Sequence, residues 1–168
     1  MNQAVSSSQN ASESKHVPAI IIRPARVEEA ATLVDFQLRM ASETEQLALH
    51  RPTVEQGVAE LFRNPQRGQY WVALVDGAIA GCMLIQQEWS DWRNGSVLWI
   101  HSVYVEPAMR KRGIFTAMYH HLQQQVQSDP NLKGLRLFVD RTNVNAQRRY
   151  QALGMSDDHY RLFEWLKP

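Results

Sequence analysis

Arg110-Lys111-Arg112-Gly113-Ile114-Phe115-Thr116 decides how this chain is read. The stretch follows a β-rich run, Ser96 to Glu106, and opens a segment in which Ile114, Met118, Leu122 and Val126 recur every four residues. That spacing predicts a helix with one buried face. A strand that stops at a basic, glycine-containing turn and becomes a helix builds an anion site. The first helical amides have no intrahelical acceptor, and the macrodipole adds partial positive charge. A phosphate carrier is therefore the expected ligand.

Working outward, Ala19 to Arg23 reads as a strand that Pro24 stops, and Glu28 to Met40 as a helix. Thr53 is a plausible N-cap for a second helix carrying Val54, Val58, Leu61 and Phe62. Ala41 to Arg51 resists assignment. Tyr70 to Val75 and Ala78 to Gln87 are strands joined by the hairpin pair Asp76-Gly77, and Asn94-Gly95 marks a second hairpin into Ser96 to Glu106. After the helix at Gly113 come a strand at Leu135 to Val139, a short helix from Ala146 to Leu153 with Gly154 as its C-cap, and a last strand over Tyr160 to Leu166. The order β-α-α-β-β-β-α-β-α-β predicts one α/β domain over residues 18–168 with a mixed sheet and flanking helices. The tight turns require antiparallel central strands, and Ser96 to Val139 should form a parallel crossover.

Residues 1–17, rich in Ser, Asn and Gln without an apolar core, read as a disordered tail rather than a secretory signal. No run approaches the roughly 20 apolar residues of a membrane span, so a cytoplasmic protein with no membrane partner is expected. The single Cys82, set in an apolar run, excludes an intramolecular disulfide and reads as a buried hydrophobe. Charge is unevenly divided. Residues 1–106 carry 8 basic and 12 acidic side chains, net −4, whereas residues 107–168 carry 10 and 5, net +5. An anionic ligand in the second half and a cationic one nearer the first would fit this division. The overall net charge of +1 argues against nucleic acid. His120-His121 with His101 lacks metal-ligand spacing, so no metal is expected.

These residues resemble the GNAT superfamily of N-acyltransferases, which transfer an acyl group from acyl-coenzyme A to an amine. The family signature Q/R-x-x-G-x-G/A at a strand-to-helix junction is matched by Arg110 to Phe115. A second motif, N-x-x-A-x-x-x-Y-x-x-x-G, is matched by Asn143-Val144-Asn145-Ala146-Gln147-Arg148-Arg149-Tyr150-Gln151-Ala152-Leu153-Gly154. The resemblance covers residues 19–168 and implies a GNAT-like fold with a splayed central strand. It implies acetyl-CoA as co-substrate, with pyrophosphate held by Arg110, Lys111, Arg112, Gly113, Ile114, Phe115 and Thr116. The pantetheine arm would pair with the backbone of Val103, Tyr104 and Val105, which otherwise read as an ordinary buried strand. Asn143 would hydrogen-bond the cofactor arm, although a helix cap is an equal reading of the same residue. Phe115 departs from the family's Gly or Ala. Its ring is tolerable if it turns into the core while its amide faces the ligand.

By the same resemblance Tyr150 is the catalytic acid. A phenol with pKa ~10 can protonate a departing thiolate whose conjugate acid has pKa ~8.5. The attacking amine, with pKa near ~10.4, must first lose a proton. Candidate bases are Glu88, His101, Glu43 and Glu45. Glu88-Trp89-Ser90-Asp91-Trp92-Arg93-Asn94-Gly95 and His101 to Val105 are similar to segments of a GNAT subgroup. Trp89 and Trp92 either wall an acceptor pocket or fasten the hairpin. Glu43, Glu45, Glu88 and Asp91 hint at a small cationic amine as acceptor. The implied function is N-acetyl transfer to a primary amine by direct attack in a ternary complex. A non-catalytic acyl-CoA sensor is the alternative, and a homodimer stays open.

Overall fold

The computed structural model describes residues 19–167. The expected tail over residues 1–17 lies outside them. Five strands form one sheet in chain order, β1 (Ile20–Pro24), β2 (Gln69–Val75), β3 (Ala78–Ser90), β4 (Gly95–Val105) and β5 (Leu132–Leu137). The first three pairings are antiparallel and β4–β5 is parallel. Four helices flank the sheet: α1 (Ala30–Glu45), α2 (Arg51–Arg63), α3 (Ile114–Ser128) and α4 (Val144–Ala152). This is the single α/β domain with a mixed sheet that the sequence predicts.

The turn chemistry explains the meander. Asp76 and Gly77 both adopt positive φ, 51° and 80°, which is what a type I′ hairpin demands. The second hairpin differs in detail. Its turn is Asp91 to Asn94, and Gly95 already belongs to β4. A Cβ on Gly95 would lie 2.6 Å from the Asn131 carbonyl, so glycine there admits the chain entering β5.

The two sheet faces carry separate cores. Against α3, Met83, Leu98 and Ile100 pack on Ile114, Met118 and Leu122. Against α1 and α2, Tyr70, Val72, Cys82 and Tyr104 pack on Leu33, Val34, Phe36 and Val58. Cys82 is fully buried, and burial pushes its thiol up to about 12, so it is packing and not chemistry.

Several boundaries differ from the sequence reading, among them β3, which runs on to Ser90, and β5, which spans Leu132–Leu137 rather than Leu135 to Val139 and so leaves Phe138 beyond it. α1 continues past Met40 to Glu45, closed by Gln46 at φ 56°, which puts Glu43 and Glu45 on its last turn. α2 starts at Arg51 with His50, not Thr53, as N-cap. Tyr160 to Leu166 forms no strand. Its alternation suits a strand, but among the described residues no ladder forms with it, and Phe163 and Trp165 are 91% and 85% exposed.

β3 and β4 are offset by a bulge. Leu84 pairs with His101 and Cys82 with Tyr104, so Ser102 and Val103 together oppose Met83, with Ser102 at φ 50°. Beside it, Gly81 faces Val105 so closely that a Cβ would lie 2.7 Å from the Tyr104 carbonyl. Gly81→Ala must therefore push β3 off β4. A loss of about 1–3 kcal/mol in denaturant unfolding is expected, and unchanged stability would show that the bulge adjusts freely.

Candidate active site

After β4 the chain makes a short 3-10 turn, Pro107–Met109, then passes Lys111 at φ 64° and Gly113 at φ 80° into α3. Left-handed backbone at a non-glycine residue is uncommon, and here it turns successive amides toward one side. The amides of Lys111 through Thr116 have no acceptor among the described residues. The first to pair is Ala117, with the Gly113 carbonyl at 2.9 Å. Six consecutive free donors at a helix N-terminus suit a polyanion. A Cβ built on Gly113 meets nothing within 4 Å, so that side is open. Lys111 and Arg112 are exposed beside it. Arg110 is not free: its guanidinium donates to the Val105 carbonyl at 2.9 Å and to Glu43 at 2.5 Å.

The Phe115 ring packs onto the α3-side core and meets Tyr150 edge-on, with centroids 5.5 Å apart. The departure from Gly or Ala thus builds a support for α4's tyrosine. Tyr150 is half-buried, and burial lifts its phenol above the ordinary value of 10.0. It stays protonated through neutral pH, the form an acid needs. At the start of α4 the Asn143 side-chain oxygen accepts from the Ala146 amide at 3.1 Å. That is the helix-cap role, and it leaves the Nδ2 donor without a partner among the described residues.

β4 and β5 part company. Their parallel pairing ends at Ile100–Leu137, while β4 continues to Val105. His101, Ser102, Val103, Tyr104 and Val105 thus have a neighbour on the β3 side only, and an edge opens toward β5. The expected splay begins two residues earlier than Val103. Backbone groups along an open edge can pair with an extended amide-containing ligand.

At the mouth of this opening lies a group of rings. Trp99 and His101 project from the same face of β4, nearly parallel, with centroids 6.0 Å apart. Phe138, just beyond β5, lies 4.5 Å from Trp99 and 6.1 Å from His101. Burial lowers the His101 pKa below 6.5, so the ring is neutral at ordinary pH. Neither nitrogen has a partner among the described residues. Glu88, by contrast, accepts hydrogen bonds from Trp99 Nε1 and from Arg136 at 3.1 Å. Arg136 also lies over the Trp99 ring at 5.6 Å.

The remaining expected residues are dispersed. Trp89 and Trp92 are 64% and 88% exposed, so neither fastens the hairpin to the core. Trp89 sits five residues beyond the Leu84–His101 pair, roughly 17 Å along the strand, and Asp91 caps the hairpin turn by accepting from the Trp92 amide. Glu45 is exposed at the end of α1, and Glu43 is taken by Arg110 and by the Tyr104 hydroxyl at 3.0 Å. Arg110 holds the Glu43 carboxyl below its usual range. Trp99, Arg136 and Phe138 were missed from the sequence, although Trp99 lies one strand period from His101. A cleft of about 290 Å³ lies at the far end of the sheet from the turn, lined by Gln69, Trp71, Gln87, Leu98 and Gln125, and contains none of the expected site residues. Among the described residues no three His, Cys, Asp or Glu side chains converge as a metal site, and no helix is long and apolar enough to cross a membrane.

Comparison with known proteins agrees with this fold. The chain matches the model of the acetyltransferase (GNAT) family over residues 35–155. It is similar to a possible acetyltransferase from Clostridium difficile 630, with 35% identity, a TM-score of 0.83, and coverage of 89% of this chain and 98% of that one. The fold is shared with a predicted acetyltransferase from Clostridium acetobutylicum solved with acetyl-CoA, at 20% identity, TM-score 0.67 and coverage of 89% and 96%. It is shared too with an aminoglycoside N-acetyltransferase in complex with CoA, at 15% identity, TM-score 0.69 and coverage of 90% and 97%. No curated protein matches the chain. With its phosphate-ready turn, its parted strands and a family match spanning most of its length, this chain belongs to the GNAT family of acetyltransferases.

Proposed function

We propose that the protein transfers the acetyl group of acetyl-CoA to a primary amine of a small molecule by direct attack. One observation carries the reading: the strand that loses its β5 neighbour at His101 runs straight into the turn with six unpaired amides. A ligand with a pyrophosphate at one end and amides along its arm fits that sequence of donors and acceptors. The amides of Lys111 to Thr116, with the Lys111 and Arg112 charges, would hold pyrophosphate. The open edge of Val103 to Val105 would pair with pantetheine, and the free Nδ2 of Asn143 would donate to the same arm.

Chemistry follows from the two titrating groups. Glu43 and Glu88 are both held in ion pairs. His101 is neutral and unpartnered, which favours it as base. It takes the proton of the incoming ammonium, and the freed nitrogen attacks the thioester carbonyl. As the C–S bond breaks, Tyr150 gives its proton to the sulfur, and the nitrogen passes its second proton to the phenolate left behind, so that one proton in all, the one on His101, goes to solvent. The products are an amide and CoA thiol. Glu88 keeps Trp99 and Arg136 in place beside His101, where Trp99 and Phe138 offer a flat apolar wall to the acceptor.

Tyr150→Phe should lower kcat by about 10²–10⁴-fold with acetyl-CoA affinity unchanged in calorimetry. Equal activity of the variant would remove Tyr150 as the acid, whereas acetyl-CoA binding without turnover of any amine by the parent would favour a non-catalytic acyl-CoA-binding module. The acid limb of kcat/KM should be governed by His101. Because its pKa is lowered, activity falls only as pH drops through a value below 6.5, and His101→Gln should remove that limb. A limb centred above 6.5 would assign the base elsewhere. Phe115→Ala removes the ring beneath Tyr150, and a displacement of the phenol can cost on the order of 10²-fold in kcat. A weakened acetyl-CoA affinity with kcat intact would place Phe115 in the grip alone.

A further inference from the structure

Four charged side chains and one ring join α1 to the turn that precedes α3. Tyr104 is buried against Phe36 of α1, with ring centroids 5.0 Å apart. The Arg39 and Arg110 guanidinium carbons lie 5.1 and 5.5 Å from the Tyr104 centroid. Arg39 grips both oxygens of Glu106, at 2.9 and 2.7 Å, and Arg110 pairs with Glu43 at 2.5 Å. The polarity is reciprocal. One pair has its cation on the helix and its anion at the turn, and the other has the reverse. Sliding α1 along the turn would bring like charges together, so the two pairs fix the register between them.

The path of the Arg110 side chain matters most. Its Nε donates to the Val105 carbonyl, and its Nη2 reaches Glu43 on α1. The side chain therefore runs back along the end of β4 to α1, and its charge is already balanced. Two residues beyond Glu43 lies Glu45, and Gln46 then turns the chain toward α2. His101 pairs with Leu84, which packs with the α1 and α2 core, so α1 and the base share one face of the sheet.

We infer that Arg110 is a positioning residue that fastens the acceptor-side end of α1 to the cofactor turn, with Glu43 as its anchor, and is not a phosphate ligand. The assignment rests on the acetyltransferase reading for its naming of the two sides. In this arrangement, phosphate charge is met by Lys111, Arg112 and the amides. Arg110 sets where α1 ends and thus where the connection over residues 46–50 begins.

The test compares Glu43→Gln, Arg110→Gln and the charge-swapped pair Glu43→Arg/Arg110→Glu in the full chain. Each single variant should raise the acceptor KM about two- to fivefold, the range of a partly exposed ion pair. Acetyl-CoA affinity by calorimetry should change less than about twofold on the same scale. Amide exchange over residues 41–50 should quicken in both, and the swapped pair should restore exchange and KM toward the parent. A tenfold or larger loss of acetyl-CoA affinity in Arg110→Gln alone would overturn the proposal and make Arg110 a phosphate ligand. Unchanged exchange over 41–50 in both single variants would overturn it equally. Calorimetry and exchange need no turnover. Failure to acetylate any amine would therefore sink the enzymatic reading while exchange still decides the clamp.

Discussion

Everything at this site depends on β4 having two hydrogen-bonded neighbours for its first half and one for its second. Buried backbone amides and carbonyls must find partners, and a strand edge left open inside a fold is normally covered. Here the parallel ladder stops at Ile100, yet β4 runs on to Val105. The bulge at Ser102 redirects the outer half of the strand, so that Tyr104 turns to the α1 side and Val103 and Val105 to the α3 side. The opening is thus a product of local backbone geometry as well as of where β5 ends.

From that parting the other parts follow. The strand that lost its neighbour delivers the chain to α3, whose first amides point away from any internal acceptor. α4 then brings Tyr150 edge-on to the Phe115 ring. On the opposite face, Trp99 and His101 mark the other rim of the same gap, with Phe138 just past the last β5 residue. In the proposed reading, grip, acid and base come from three elements, β4, α3 and α4.

Local signals made much of this legible. Asp76-Gly77, the four-residue spacing of α3 and the basic glycine turn each act over a few residues, and the structure places them as read. Asn143 and Tyr150 were found only because a pattern of fixed spacing surrounds them. What stayed hidden is non-local. Glu43 and Arg110 lie 67 residues apart, so their pairing leaves no periodic trace. Glu43 reads from sequence as a free acidic residue. α1 outruns its apolar pattern because Ala41 to Glu45 gains its hold from Tyr104 and Arg110 rather than from a hydrophobic stripe. Tyr160 to Leu166 fails in the other direction, since alternation specifies a strand only where a neighbour accepts its ladder.

Cys82 has a practical meaning for the proposed reaction, one of whose products is a thiol. It is the single cysteine, sealed between the sheet and α1, and its sulfur stays protonated far into the alkaline range. A folded preparation therefore adds no background to reagents that report free sulfhydryl groups. Any colour that develops during turnover counts molecules of coenzyme released, and a slow rise without substrate counts molecules of protein that have opened.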